Sequence, residues 1–154
     1  MNKFEAEIKS NQLMKKHGLI ERGWSFEFDN AKSRYGSCKH ISKRITLSQY
    51  MLPHMKDEDI VDTILHEIAH ALVGRGHGHN NVWRYKALEI GCRGKRCSDK
   101  IIDYSKLQYK YTGTCNNGHT TNRHKFTKNA ENCSCAQCSN RYNPKFKFRW
   151  VQNF

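Results

Sequence analysis

The sequence predicts an α+β domain followed by a small metal-dependent module. Three observations carry that prediction. A strongly amphipathic helix pattern over Asp57 to Val73 follows three short strand patterns. The composition then shifts near Leu107. Residues 1–107 hold 19 basic and 13 acidic residues, whereas residues 108–154 hold eight basic residues and a single acid, Glu131. Finally, four of the seven cysteines and nine of the 17 aromatics lie beyond Asp103. The boundary is therefore drawn at 1–107 and 108–154, with no internal repeat on either side.

Each element has a local reason. Lys3 to Lys16 reads as a helix with a thin apolar face, closed by Gly18 at the position after the cap. Trp24 to Asp29 alternates apolar and polar residues, the period of a half-buried strand. Tyr35 to Cys38 and Arg44 to Leu47 read as two further strands. In the main helix, Asp57, Glu58 and Asp59 place negative charge on the first turn, where the helix dipole favours it. Ile60, Val61, Ile64, Leu65, Ile68, Ala69, Leu72 and Val73 form its apolar stripe. Gly74 ends it. A Gly/His loop leads to a helix from Asn81 to Ile90, closed by Gly91. In the C-terminal part, Lys145 to Trp150 has strand alternation.

Composition narrows the function classes. The chain has 154 residues and a net charge of +13 at pH 7. No apolar run approaches the roughly 18 residues of a membrane span, so no membrane partner is expected. Met1 to Ser10 has no apolar core of a secretory signal, so a cytoplasmic or nucleoid-associated monomer is the expectation. In a reducing compartment, cysteines bind metal more often than they form disulfides. The positive excess points to a polyanion, most simply DNA.

The chemistry is concentrated in His66-Glu67-Ile68-Ala69-His70. Histidines at i and i+4 stand one above the other on a helix face, so both imidazoles can reach one Zn²⁺. Glu67 projects beside them, placed to accept a proton as general base. Zinc in such a site lowers the pKa of its water towards ~7 and polarises a carbonyl. A catalytic zinc usually has a third protein ligand and an open position. The loop Gly74-Arg75-Gly76-His77-Gly78-His79 offers two candidates. His79 is preferred because it stands four residues before Trp83, whose burial would fix it; His77, between two glycines, is the alternative.

These residues resemble the SprT-like metalloprotease family. The likeness rests on HEIAH, the Gly/His loop, and the spacing His79-Asn80-Asn81-Val82-Trp83. It extends to Ile45-Thr46-Leu47-Ser48 and Asp62-Thr63-Ile64-Leu65, and it covers about Phe4 to Leu107. The resemblance implies a minimal zincin-like fold, in which a short sheet supports the active-site helix and a second helix delivers the third ligand. It implies His66, His70 and His79 as ligands, Glu67 as general base, and a protein substrate bound to DNA.

The C-terminal part carries Cys135-Ala136-Gln137-Cys138, a two-residue-spaced cysteine knuckle. Cys115 and His119 form a second ligand pair upstream, giving a Cys₃His set of the kind that holds a structural zinc. Cys133 and His124 are reserves for the fourth position. A module of this length cannot build a stable core alone, so a metal would supply much of its folding energy. It resembles the zinc ribbon appended to many SprT-like proteins, in which the first pair is commonly two cysteines. Cys38, Cys92 and Cys97 read as ordinary reduced cysteines.

Basic and aromatic residues interleave at Arg123-His124-Lys125-Phe126 and at Lys145-Phe146-Lys147-Phe148-Arg149-Trp150. Cations there could track phosphates while aromatic faces stack on unpaired bases. Arg93, Lys95 and Arg96 could extend that track between the modules. The expected function is a zinc endopeptidase acting on DNA-bound proteins, with one catalytic and one structural zinc; single-stranded and duplex DNA stay open. Two other classes remain. One is a non-enzymatic zinc-containing DNA-binding adaptor, which the intact Glu67 argues against. The other is a metalloprotease of soluble proteins without DNA dependence.

Overall fold

A computed structural model describes residues 1–96 and 108–154. It is a mixed α+β structure of two compact units, Met1–Ile102 and Asp103–Phe154. The expected boundary at Leu107 and the residue Cys97 lie outside the described residues.

The first unit opens with α1 (Lys3–Lys16). Its N-terminus is a reciprocal capping box: the Asn2 side chain accepts from the Glu5 amide and the Glu5 carboxylate accepts from the Asn2 amide. Each interaction satisfies a backbone donor that the helix itself leaves orphaned. Ala6, Ser10 and Met14 form the buried face. The Ser10 hydroxyl donates to the Ala6 carbonyl at 2.7 Å, so its burial leaves no orphaned donor.

Three strands follow: β1 (Ser25–Asp29), β2 (Gly36–Lys39) and β3 (Arg44–Ser48). Their spatial order is β1-β3-β2, with β3 parallel to β1 and antiparallel to β2. The central β3 is covered on both faces, and Ile45, Thr46, Leu47 and Ser48 are all buried. Its two polar side chains are partnered. Thr46 donates to the Asp29 carboxylate at 2.7 Å, and Ser48 donates to the Ala31 carbonyl. Trp24, expected as the first residue of β1, precedes the strand and packs in the core.

A short 3₁₀ turn (Leu52–His54) leads to α2 (Asp57–Val73). The acidic first turn of α2 is compensated: Asp57 pairs with the Met1 amino group, and Arg93 pairs with Asp59 at 2.8 Å and Glu58 at 3.6 Å. Helix α3 (Asn81–Glu89) is capped by Asn80, whose side chain accepts from the Trp83 amide, and it stops one residue short of the expected Ile90. Two apolar clusters meet on α2. Ile60, Ile64, Ile68 and Ala71 pack with the sheet and α1, while Leu65 and Ala69 pack with Trp83, Ala87 and Cys92. The helix is thus buried on two sides, and its remaining side carries polar residues.

The second unit is built on a three-stranded antiparallel sheet of β4 (Tyr111–Thr114), β5 (Thr120–Arg123) and β6 (Arg149–Gln152), in the order β5-β4-β6. A one-turn helix, α4 (Lys128–Glu131), lies between β5 and β6. Gly113 makes close approach possible. A Cβ there would lie 3.0 Å from three atoms of the Trp150 indole, which rests on the strand. The expectation of a strand over Lys145–Trp150 is corrected. Asn143 accepts from the Lys145 amide and Pro144 opens a 3₁₀ turn over Pro144–Phe146, so β6 begins only at Arg149. Among the described residues, no helix is long and apolar enough to cross a membrane.

Candidate metal centres

The first centre is assembled by α2 and the loop that follows it. His66 and His70 stand one turn apart on the polar side of α2, and His79 arrives immediately before α3. The three Nε2 atoms converge, at 3.0 Å between His66 and His79, 3.3 Å between His66 and His70, and 3.2 Å between His70 and His79. A neutral imidazole has one N–H, so three facing Nε2 atoms cannot satisfy one another by hydrogen bonding. A cation among them would. Ligands about 2.0–2.1 Å from a tetrahedral zinc sit about 3.3–3.4 Å apart, close to these separations.

Trp83 is the wall behind the triad. It is 1% exposed, and its ring centroid lies 4.6 Å from His66, 5.2 Å from His70 in a stacked arrangement, and 4.6 Å from His79. His66 and His70 are half-buried and His79 is exposed, so the cluster has an open side. Burial first, and then the neighbouring His66, His79 and His40, push the His70 pKa down to about 4. Burial and the nearby Arg96 also lower that of His79. Both effects favour the neutral form that ligates metal.

Glu67 is 8% exposed and lies on the side of α2 that faces β2. A Cβ at Gly36 would fall 3.0 Å from the Glu67 Cγ, the Thr46 carbonyl oxygen and the Thr63 methyl, so the bare backbone of β2 is what lets strand and helix close around this carboxylate. Cys38, next along that face, is pushed up to about 12 by burial and then by the Glu67 charge, and it is a thiol at neutral pH. Its Sγ lies 3.7 Å from His40 Nε2. Sequence reasoning did not connect Gly36, Cys38 or His40 with the centre. The strand pattern was visible, but nothing in it shows which helix residue it will face.

His77 does not join the triad. Its Nδ1 faces the Asn80 amide at 3.4 Å.

The second centre joins the β4–β5 corner to the cysteine knuckle. Cys115, His119, Cys135 and Cys138 bring one ligand atom each to within 4.8 Å of all the others. His119 Nδ1 lies 3.7, 3.6 and 3.2 Å from the sulfurs of Cys115, Cys135 and Cys138, and Cys115 and Cys138 are 3.9 Å apart. Tetrahedral ligation with Zn–S near 2.3 Å requires about 3.8 Å between sulfurs and somewhat less from sulfur to nitrogen. The four residues therefore fit such an ion. Burial opposes ionisation of Cys115, but the Asn117 and His119 amides, the His119 ring and Cys138 outweigh it and bring its pKa to about 7. Cys138 is raised to about 11 by burial, then by Cys135 and Cys115. The reserve ligands lie elsewhere. Cys133 donates to the Asn129 carbonyl at 3.0 Å, and His124 stacks on Tyr109 with centroids 4.6 Å apart.

The basic residues divide into two groups. Arg93 is engaged with Glu58 and Asp59, and its amide donates to Asp62. The Arg123 guanidinium sits 5.3 Å over the Trp150 ring, whose indole N–H donates to the Ala130 carbonyl at 3.0 Å. Arg123 and Trp150 thus pack against each other, and the Trp face expected to stack on bases is covered by Gly113 and Arg123. Lys95, Arg96, Lys125, Lys145, Lys147 and Arg149 are exposed; Lys147 also donates to the Asn132 side chain.

No curated protein matches the chain. A family model described as the SprT-like family matches residues 2–103, which contain the whole histidine centre and not the cysteine one. That match spans well over half of the sequence, and the chain belongs to the SprT-like family.

Proposed function

We propose that the first unit is a zinc-dependent endopeptidase and that it acts on proteins bound to DNA, with the basic second unit engaging the nucleic acid. The SprT-like family is of the zinc-metallopeptidase type. The observation that carries the reading is the convergence of three Nε2 atoms to 3.0–3.3 Å on a helix that also bears the buried Glu67. Zinc held there supplies Lewis acidity and a water of lowered pKa.

The chain's own groups do the rest. His66, His70 and His79 hold the ion as neutral imidazoles, backed by Trp83. Glu67 takes a proton at its carboxylate from the attacking water and returns it to the departing amine. The exposed side at His79 admits the peptide. In the second unit, the complete four-ligand set of Cys115, His119, Cys135 and Cys138 suits a structural zinc, because it leaves no open position. The excess of eight basic over one acidic residue in 108–154 supports a polyanionic partner.

The test is cleavage of a DNA-bound protein by the full, metal-replete chain, with and without DNA, set against Glu67→Gln. The expected result is DNA-stimulated cleavage that falls by about 10²–10⁴-fold in the variant at unchanged metal content. Undiminished cleavage by Glu67→Gln refutes the general-base role. Rates indifferent to DNA at low salt refute the DNA-bound substrate.

A further inference from the structure

The turn that carries the first ligand pair of the second centre is Cys115-Asn116-Asn117-Gly118-His119. Gly118 has φ +81°, and a Cβ there would meet nothing within 4 Å, so the backbone dihedral and not space is what requires glycine. Asn117 has a separate reason. Its backbone amide donates to the Cys115 sulfur, and its side-chain Nδ2 donates to Cys138 Sγ at 3.3 Å, so one residue touches two of the three sulfurs of the centre. Asn116 Nδ2 donates to the Lys145 carbonyl at 2.7 Å and ties the turn down from its other side.

Together these requirements set an asparagine directly before a glycine, which happens only here in the 154-residue sequence. The pair is chemically labile. The glycine nitrogen, with no side chain beside it to obstruct the approach, can attack the asparagine Cγ. The N–Cγ bond forms, the Cγ–Nδ2 bond breaks and ammonia leaves. Water then opens the succinimide ring at either carbonyl, leaving an aspartate, or an isoaspartate whose backbone runs through the side-chain carbon.

The folded turn restrains both reacting groups. The Gly118 amide donates to the Cys115 carbonyl at 2.9 Å, which opposes loss of its proton, and the Asn117 side chain is held on Cys138. Both restraints depend on the positions of Cys115 and Cys138, and an ion shared by the four ligands is what would fix them together. Asn117 and Gly118 are exposed, so water has access once the restraints are released.

We propose that Asn117-Gly118 is a deamidation site guarded by metal in the second centre, so that loss of the ion becomes permanent. The inference rests on the reading of Cys115, His119, Cys135 and Cys138 as a metal site. A carboxylate at position 117 has no hydrogen to give Cys138, and it adds negative charge beside sulfurs that must ionise to ligate. An isoaspartate also lengthens the backbone between Cys115 and His119, which displaces the His119 ring from the cysteines. The deamidated turn therefore reloads poorly, and an emptied second unit is marked as such by a covalent change.

The experiment follows the full chain under reducing conditions in mildly alkaline buffer, one portion metal-replete and one chelated. Intact mass and peptide mapping read the amide-to-acid change at Asn117. Co²⁺ titration then reads the second centre by itself, because only thiolate ligands give a sulfur-to-cobalt absorption band and the first centre has none. Deamidation is expected to be about tenfold or more faster in the chelated portion, as release of two hydrogen bonds implies. The deamidated chain and Asn117→Asp are expected to bind Co²⁺ at the cysteines about 10–100-fold more weakly, the usual cost of losing a hydrogen bond to a ligand. Asn117→Gln keeps a side-chain amide but closes the ring far more slowly, so it is expected to keep its mass through chelation and to reload. Equal rates in the two portions overturn the guarding, and no mass change in either overturns the site. Deamidated chain that binds Co²⁺ as tightly as fresh chain overturns the permanence, as does Asn117→Gln that fails to reload after the same incubation. Fresh wild-type chain without the sulfur-to-cobalt band overturns the metal site itself, and the proposal with it.

Discussion

Gly36→Ala is the most demanding test of how the fold holds the buried Glu67 carboxylate. The substitution adds one methyl group at a position whose backbone is not left-handed, so no dihedral strain accompanies it. The added Cβ meets Glu67 Cγ, the Thr46 carbonyl oxygen and Thr63 Cγ2, all at 3.0 Å. None of these is the free end of a flexible chain. The carbonyl belongs to the central strand, which is buried on both faces, so the helix side must give way. Overpacking of this kind costs about 1–3 kcal/mol. Replacing Gly with Ala also reduces the entropy of the unfolded chain, which returns about 0.4–1 kcal/mol. The clash wins, and a net loss of about 1–2 kcal/mol is expected. For a unit of this size that lowers Tm by about 4–15 °C. Thermal unfolding of the metal-replete protein reads the first effect. Cleavage rate at saturating metal reads the second, because displacing Glu67 lowers turnover while His66, His70 and His79 still bind the ion. A variant with wild-type Tm and wild-type turnover would refute the close approach of β2 to α2.

Other outcomes follow from the same geometry. His79→Ala removes metal from the first centre and His77→Ala leaves it bound, as elemental analysis of each protein would show; the opposite pattern would exchange their assignments. Cys138→Ala should open the second centre, with loss of bound metal and limited proteolysis within residues 108–154 while the first unit stays resistant; a protected tail would mean that the second unit does not depend on a metal ion. Chelated protein should lose stability as pH falls from about 6.5 towards 4. His70 has its folded pKa lowered to about 4, so over that window the unfolded chain binds a proton that the folded one does not. A urea midpoint that is flat from pH 7 to 4.5 would contradict that assignment.

Much of the first unit was readable from periodicity because α2 is amphipathic and its two histidines are one turn apart. Both facts are local. His79 was readable for a related reason, since its neighbour Trp83 marked the start of a buried helix. What escaped was set by long-range contact. The β3 strand is buried on both faces, so alternation could not describe it, and only the sheet order reveals why. Gly36 acquires its meaning from a helix thirty residues later. In the tail, Cys115, Cys135 and Cys138 stood out by residue type and spacing while the fourth position stayed open among His119, Cys133 and His124, and Lys145–Phe148 looked like strand until Asn143 and Pro144 imposed a turn. Arg123 and Trp150 each read as a nucleic-acid contact because interleaved cations and aromatics read alike whether they face solvent or each other.

The three histidines of the first centre are not held alike, and this has a kinetic consequence for a metal bound there. His66 and His70 ride on a helix that anchors both apolar clusters, so their spacing can change only if the unit unfolds. His79 is exposed and follows a reversal in which Gly74, Gly76 and Gly78 all take positive φ. Metal should therefore enter in two stages, landing on a ready-made pair and then being latched by the third imidazole. Its departure rate is set by the latch and not by the pair. Substitutions that stiffen residues 74–78 should slow metal exchange without altering the two-histidine anchor, giving one loop control over how long the centre stays loaded.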